Sequence, residues 1–217
     1  MKKLLLCSLL SFSSFFAFSQ GLADRYLSSL GGTYFLDYSA TPVKAEWRED
    51  LSNPDWEYRS ASSVSVYTII YNARLNVLEP SDNLAVSASV APALGVNFSE
   101  IGIGSINVPL TVNLDFGAGA TYHTTHNAGG TFGLGVEYNK IGLIPTGDVA
   151  ADDYQTSWVQ PVVIAGVRYW NKKNNLREIN FKFGMGDARD YREYDDEVLT
   201  TRRSITARLS FIKFLNY

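Results

Sequence analysis

Taken two residues at a time, the stretch from Leu84 to Tyr122 separates into an apolar set and a small or polar set. Leu84, Val86, Ala88, Val90, Pro92, Leu94, Val96 and Phe98 form the first, and Ala85, Ser87, Ser89, Ala91, Ala93, Gly95 and Asn97 lie between them. After an interruption at Ser99 to Ser105 the rhythm resumes with Ile106, Val108, Leu110, Val112, Leu114, Phe116, Ala118, Ala120 and Tyr122, against Asn107, Pro109, Thr111, Asn113, Asp115, Gly117, Gly119 and Thr121. A repeat of two places alternate side chains on opposite faces of an extended strand. Globular strands average about five or six residues, whereas a tilted strand crossing a bilayer needs roughly nine to eleven with one face toward lipid.

The same alternation predicts six further strands. The first begins near Thr33, with Tyr34, Leu36 and Tyr38 on one parity and Thr33, Phe35 and Asp37 on the other; Gly21 to Gly32 ahead of it reads as a lead-in of one or two helical turns. A polar loop from Thr41 to Ala61 follows. The second strand, Ser63 to Leu78, sets Tyr67, Ile69, Tyr71, Ala73, Leu75 and Val77 against Thr68, Asn72, Arg74 and Asn76, and ends in a Glu79-Pro80-Ser81-Asp82 turn. The fifth carries Phe132, Leu134, Val136 and Tyr138 opposite Thr131, Gly133, Gly135 and Glu137. The sixth uses Val159, Pro161, Val163, Ala165, Val167 and Tyr169 and turns at Asn171 to Asn175. The seventh uses Ile179, Phe181, Phe183 and Met185, and the eighth Ile205, Ala207, Leu209, Phe211 and Leu215. Loops are expected at His123 to Gly129, Leu143 to Gln155 and Asp187 to Arg203; at Pro92, Pro109 and Pro161, each of which withholds a ladder donor, bulges are expected, or strand portions beyond the hydrocarbon region where water satisfies the neighbour.

An even strand count with short turns on one side and longer loops on the other is the pattern of bacterial outer-membrane barrels. A soluble eight-stranded barrel also alternates, with its apolar face turned inward. The number of charges on the polar parity separates the two. It holds Asp37, Arg74, Asp115, Glu137, Arg168, Lys182 and Arg208, at most one per strand, whereas a water-facing surface is roughly a quarter or more charged. So sparse a set predicts an enclosed network whose ions must pair to offset desolvation. Aromatics near strand ends on the apolar parity, Tyr34, Phe98, Tyr122, Tyr138 and Tyr169, fit interfacial girdles.

The leader adds a compartment. Lys2 and Lys3, the apolar run Leu4 to Phe18, and Ala17-Phe18-Ser19 before Gln20 read as a signal peptide over residues 1–19, with 20–32 an N-terminal periplasmic extension and 33–217 the barrel. The single cysteine, Cys7, precedes most of the apolar run, which is not a lipoprotein arrangement, and it leaves no disulfide for the mature chain. A net charge of -3 over 217 residues argues against a nucleic-acid surface.

The Phe18-Ser19-Gln20 leader end, the Val108-Pro109-Leu110 to Thr121 segment, the Gly-Leu-Gly-Val-Glu-Tyr run at 133 to 138 and the aromatic-ended C-terminal strand resemble the small OmpA/OmpX-like outer-membrane barrels, in particular the barrel chains of Bacteroidota. The resemblance covers about residues 31 to 217 and implies a barrel assembled by the outer-membrane machinery. Roles in that group range from anchoring to accessory subunits, so the likeness specifies architecture and leaves the role open.

Candidate chemistry is thin. His123 and His126 are two potential metal ligands without a local third or fourth, and a polar turn accounts for them. Their segment invites comparison with outer-membrane lipid A deacylases, but His126 stands where the serine should be and Thr124 where the histidine should be, so nucleophile and base are both displaced. Gly117 to Gly119 and Gly129 to Gly135 lack the Gly-Lys-Ser/Thr ending of a phosphate loop and fit a crowded barrel interior instead. Asp190, Glu193, Asp195, Asp196 and Glu197, with Arg189, Arg192, Arg202 and Arg203, read as solvated loop charge. Trp47, Trp56, Tyr191 and Tyr194 are the loop aromatics suited to anchoring a partner. The sequence therefore predicts an all-β, eight-stranded antiparallel up-and-down transmembrane β-barrel with a side-chain-filled interior. Its expected role is non-enzymatic, without cofactor or metal, with loops contacting envelope components or a partner in a larger outer-membrane complex. Expected associates are outer-membrane lipid or lipopolysaccharide and the assembly machinery, and not nucleic acid. A lipid-modifying enzyme centred on His123 and His126, and a soluble lipocalin-like carrier, are the two other readings.

Overall fold

A computed structural model describes residues 24–48, 55–146, 154–192 and 199–216. These residues are all-β: β1 Tyr26–Tyr34, β2 Asp37–Ala40, β3 Lys44–Arg48, β4 Asp55–Arg59, β5 Ser62–Ser81, β6 Leu84–Val90, β7 Ala93–Ser99, β8 Gly102–Gly117, β9 Ala128–Ile144, β10 Ser157–Trp170, β11 Leu176–Arg192 and β12 Leu199–Phe214. β1 with β2 makes one antiparallel line, and β6 with β7 another. With these counted once each, eight strands pair in chain order and the last returns to the first: Gly32 lies opposite Phe211 in β12 and Ile69 in β5. The sheet thus closes into a ring. Asn216 fastens the seam, its Oδ1 accepting from the Ser28 N–H at 3.0 Å and its Nδ2 donating to the Tyr26 carbonyl at 2.7 Å. β3 and β4 form a separate hairpin between β2 and β5.

The alternation holds through the ring. Leu110, Val112, Leu114 and Phe116 are exposed while Thr111, Asn113 and Asp115 are buried; Val159, Val163 and Val167 are exposed while Gln160 and Arg168 are buried. Some buried apolar side chains collect in two small clusters at the ends, while Ile70, Val162, Ile164 and Ile212 are buried along the ring itself. Ala61, Ile101, Ile141 and Trp158, with Tyr154 against them, close the end that carries the longer connections. Ala118, Leu176 and Phe214, with Trp170, close the end where the chain termini meet.

Several expected boundaries move. Residues 26–32, read as periplasmic lead-in with helical turns, belong to strand β1. Phe35, expected to point inward, is 64% exposed, because its left-handed backbone (φ 55°) turns the chain between β1 and β2. Pairing survives the turn through the Phe35 N–H to Val66 and the Leu209 N–H to Leu36. The Thr41 to Ala61 loop contains the β3–β4 hairpin. β5 continues through Glu79 and Pro80 to Ser81, leaving Asp82 and Asn83 as the turn. The break expected at Ser99 to Ser105 shrinks to Glu100 and Ile101, so one connection on the long-loop side is tight. β9 runs to Ile144, and β11 and β12 extend across most of Asp187 to Arg203, pairing Arg192 with Leu199. Residues 1–19, read from the sequence as a signal peptide, residues 20–23 and Tyr217 lie outside the described residues.

Of the expected proline irregularities, only Pro92 interrupts a strand, and the β8 register is the same on both sides of the gap. Ala91 donates to the Pro109 carbonyl at 3.2 Å, so the donor Pro109 lacks falls opposite the gap between β6 and β7. Pro161 keeps its place against Val136 in β9, and the β10–β11 ladder begins one residue later at Val162.

Candidate functional site

Inward parity brings the charged residues together. Asp37 on β2, Arg74 on β5, Asp115 on β8, Glu137 on β9, Arg168 on β10, Lys182 on β11 and Arg208 on β12 are all buried, each at 3% exposure or less. Near the terminal end Asp115 lies between two guanidinium groups, 2.9 Å from Arg74 Nη1 and 2.5 Å from Arg168 Nη2. Ser87 donates its hydroxyl to the second carboxylate oxygen. Arg168 also binds Glu178 through Nε at 2.5 Å. Arg74 and Arg168 both donate to the carbonyl of Gly119, in the turn that folds inward after β8, and both guanidinium groups lie over the Phe214 ring at 5.5 and 5.4 Å.

A second group lies farther toward the long connections. Lys182 pairs with Glu137, whose other oxygen accepts from Thr206 at 3.0 Å; Thr206 in turn accepts from Gln160 Nε2 at 2.7 Å. Trp158 Nε1 and Ser204 Oγ both donate to Gln160 Oε1, at 3.0 and 2.9 Å. Arg208 pairs with Asp37 at 3.0 Å and reaches Asn107 Oδ1 at 2.5 Å, and Thr68 donates to Asp37 at 2.6 Å. Four cations face four carboxylates in the two groups, so the described interior charge balances. Each ion has a counterion within 3.0 Å, the condition under which desolvated charge is tolerated.

Glu178 escaped the sequence reading. Its signal was present, because Leu176, Glu178, Asn180 and Lys182 share one parity of β11, and all are buried. Phe214, Leu176 and the Gly119 carbonyl were also missed; they are functional only through the positions of turns and strand ends.

Side chains fill most of the interior. A Cβ at Gly184 would lie 2.5 Å from Gln160 Nε2 and 2.6 Å from Thr206 Oγ1, and one at Gly133 would overlap Asn113. Among the described residues one cavity of about 50 Å³ is lined by Arg74, Arg168, Glu178, Lys182 and Arg208 together with Ile70, Ile164 and Ile212. A space of that size with charged groups on its wall suits water and is far too small for a lipid-sized ligand.

The other candidates do not gather. His123 and His126 are exposed at the terminal end; His123 meets the Tyr122 ring edge-on at 5.8 Å, and the backbone N–H of His126 lies 3.4 Å from Thr124 Oγ1. No cluster of three metal-ligating side chains occurs among the described residues. Trp47 and Trp56 stand opposite each other in the β3–β4 hairpin, and Tyr191 stands opposite Thr200. Tyr194 and the acidic residues Glu193, Asp195, Asp196 and Glu197 lie outside the described residues, while Arg189 stands opposite Arg202 and Asp190 opposite Thr201. Arg203 is exposed, with Nη1 3.9 Å from Met185 Sδ. No protein-family model and no curated protein sequence matches this chain.

Proposed function

We propose that this chain is an eight-stranded transmembrane β-barrel of a bacterial outer membrane, acting without catalysis as a structural or accessory component. Its long connections would meet envelope lipid or a partner protein. One observation carries the reading: the ring is apolar outside and ionic inside. Large hydrophobic side chains are exposed on all eight lines of the ring, among them Leu30, Ile69, Leu94, Val112, Leu134, Val163, Phe181 and Phe211. In water such a belt would be an aggregation surface, whereas acyl chains solvate it without penalty. The belt has the right height. On β10 it runs from Val159 to Tyr169, about 33 Å of strand at ~3.3 Å per residue, which projects to roughly 25 Å at a ~40° tilt. Ring closure supports the same reading, because a closed sheet leaves no backbone edge unpaired in hydrocarbon. Phe98 and Tyr138 toward one rim and Tyr122 and Tyr169 toward the other are placed as interfacial aromatics would be.

An apolar-ligand carrier would need the opposite parity, and an acyl hydrolase would need a nucleophile beside a base, which His123 and His126 do not supply. The two ion clusters and the end caps support a closed, non-conducting interior. Membrane fractionation of the full precursor tests the reading. The mature chain is expected in the outer-membrane pellet, released only by detergent; recovery from the soluble periplasm without detergent would overturn it. Affinity purification in mild detergent then asks whether a partner complex accompanies it.

A further inference from the structure

The outer surface carries one feature that a lipid-facing belt does not explain. Reading outward positions across the ladders, Val167, Ile179, Phe211 and Gly32 make one row, wholly apolar or small. The next row toward the terminal rim is Tyr169, Arg177, Lys213 and Leu30. Arg177 and Lys213 are therefore direct cross-strand partners, both exposed, at the margin of the apolar belt. Like charges in that relation repel, their Cβ atoms being only about 5 Å apart. The repulsion is stronger beside a low-dielectric surface than in open water. Neither residue has a carboxylate partner among the described residues. The adjoining turn adds Lys172 and Lys173, both exposed. A neighbouring basic pair is stable where one anion bridges it, and Tyr169 beside it marks the headgroup level.

We infer that Arg177 and Lys213, flanked by Tyr169 and the Lys172–Lys173 turn, form a binding site for the phosphate of an anionic phospholipid at the rim where the chain termini meet. The inference rests on the membrane reading above. Arg177 supplies a planar fork for two phosphate oxygens and Lys213 a point charge on the same group. The acyl chains then lie along Val167, Ile179 and Phe211.

Native mass spectrometry of the full mature chain released from a neutral detergent tests this, with phosphatidylglycerol, phosphatidylcholine or inorganic phosphate added separately. Wild type is expected to retain phosphatidylglycerol well above phosphatidylcholine and to hold no inorganic phosphate at the same concentration. In R177Q/K213Q, phosphatidylglycerol affinity should fall about thirtyfold, the equivalent of ~1 kcal/mol for each basic side chain near a membrane surface. Both positions face outward, so the variant should fold, and its unfolding midpoint in phosphatidylcholine vesicles should equal or exceed wild type because the repulsion is gone. Equal phosphatidylglycerol binding by the two proteins, or binding of free phosphate as strong as that of the lipid, overturns the inference while leaving the membrane reading intact. A mature chain that stays dissolved without detergent sinks both.

Discussion

Asp115 is the residue on which the terminal-end cluster turns. It is fully buried and shared between Arg74 and Arg168, and Ser87 holds its remaining oxygen. Asp115→Asn keeps the shape but leaves two guanidinium groups facing one carboxylate, Glu178. Breaking a buried pair from one side costs about 3–5 kcal/mol, so the urea midpoint of the refolded protein in lipid vesicles should drop accordingly. A comparable midpoint would mean that the cluster is hydrated rather than enclosed. Gly119 supplies the other half of the arrangement, because its carbonyl is the common acceptor for both arginines. Its φ of +67° is left-handed, and a Cβ there would run into Leu176. Gly119→Ala should therefore destabilise by roughly 1–3 kcal/mol in the same assay. Parity alone brought all seven charges named from the sequence to the interior, since an ion in the polar row of a strand has one direction to point. What parity could not give was pairing. Asp115 with Arg168 is a contact between β8 and β10, fixed by curvature across the ring and not by sequence spacing.

Among the elements, long uninterrupted strands were the most legible, and several misplaced boundaries lay where alternation stops carrying information; the alternating Ala118, Ala120 and Tyr122 instead misled, because β8 ends at Gly117 and both alanines are buried in the turn beyond it. Ser99 to Ser105 contains Gly102 and Gly104, with φ of 145° and 90°, and glycines have no side chain to report a face. Residues 26–34 alternate Leu27, Ser29 and Thr33 inside with Tyr26, Leu30 and Tyr34 outside. Here the inside contains a leucine and the outside includes Ser28 and Gly32, so the contrast is too weak to distinguish a strand from a helical turn. Phe35 shows the limit differently: its hydrophobicity is ordinary, and only its backbone angle removes it from the row. By contrast the Asn171 to Asn175 turn was legible because its chemistry is local. Asn171 Oδ1 accepts the N–H groups of Lys173 and Asn175, both at 2.9 Å, and Asn174 sits at φ 56°, which asparagine tolerates. Asn171→Ala removes both bonds and is expected to lower stability by about 1–2 kcal/mol. Asn174→Gly should be neutral or slightly stabilising, because glycine occupies the left-handed region without steric cost. Equilibrium unfolding of the two variants side by side checks the pair; no loss in Asn171→Ala would mean that the turn is held by its flanking ladders alone.

At the scale of the whole molecule, the same substitution has opposite expected consequences depending on what surrounds the ring. Val112 is 61% exposed near the middle of the outward belt, opposite Ala88 and Leu134 on the neighbouring strands. In water, Val112→Arg on so open a surface would change stability by less than about 0.5 kcal/mol, or raise solubility. At a bilayer midplane it places a cation in hydrocarbon and should cost about 2–4 kcal/mol. Ile144, 64% exposed at the long-connection rim, is the matched control, and arginine there should cost no more than about 1 kcal/mol because the side chain reaches the headgroups. Refolding titrations of both variants in vesicles therefore read depth as well as sidedness. A penalty that is large at position 112 and small at 144 locates lipid around the ring. Equal and negligible penalties would place water there, and the ionic interior would then need another explanation. The inward neighbour Thr111 completes the argument, because arginine at that position would add a fifth cation to an interior of four balanced pairs in either environment. Loss of the fold from Thr111→Arg together with tolerance of Val112→Arg would show that the ring is closed but wet outside, and only the combination of both losses supports a membrane-embedded barrel.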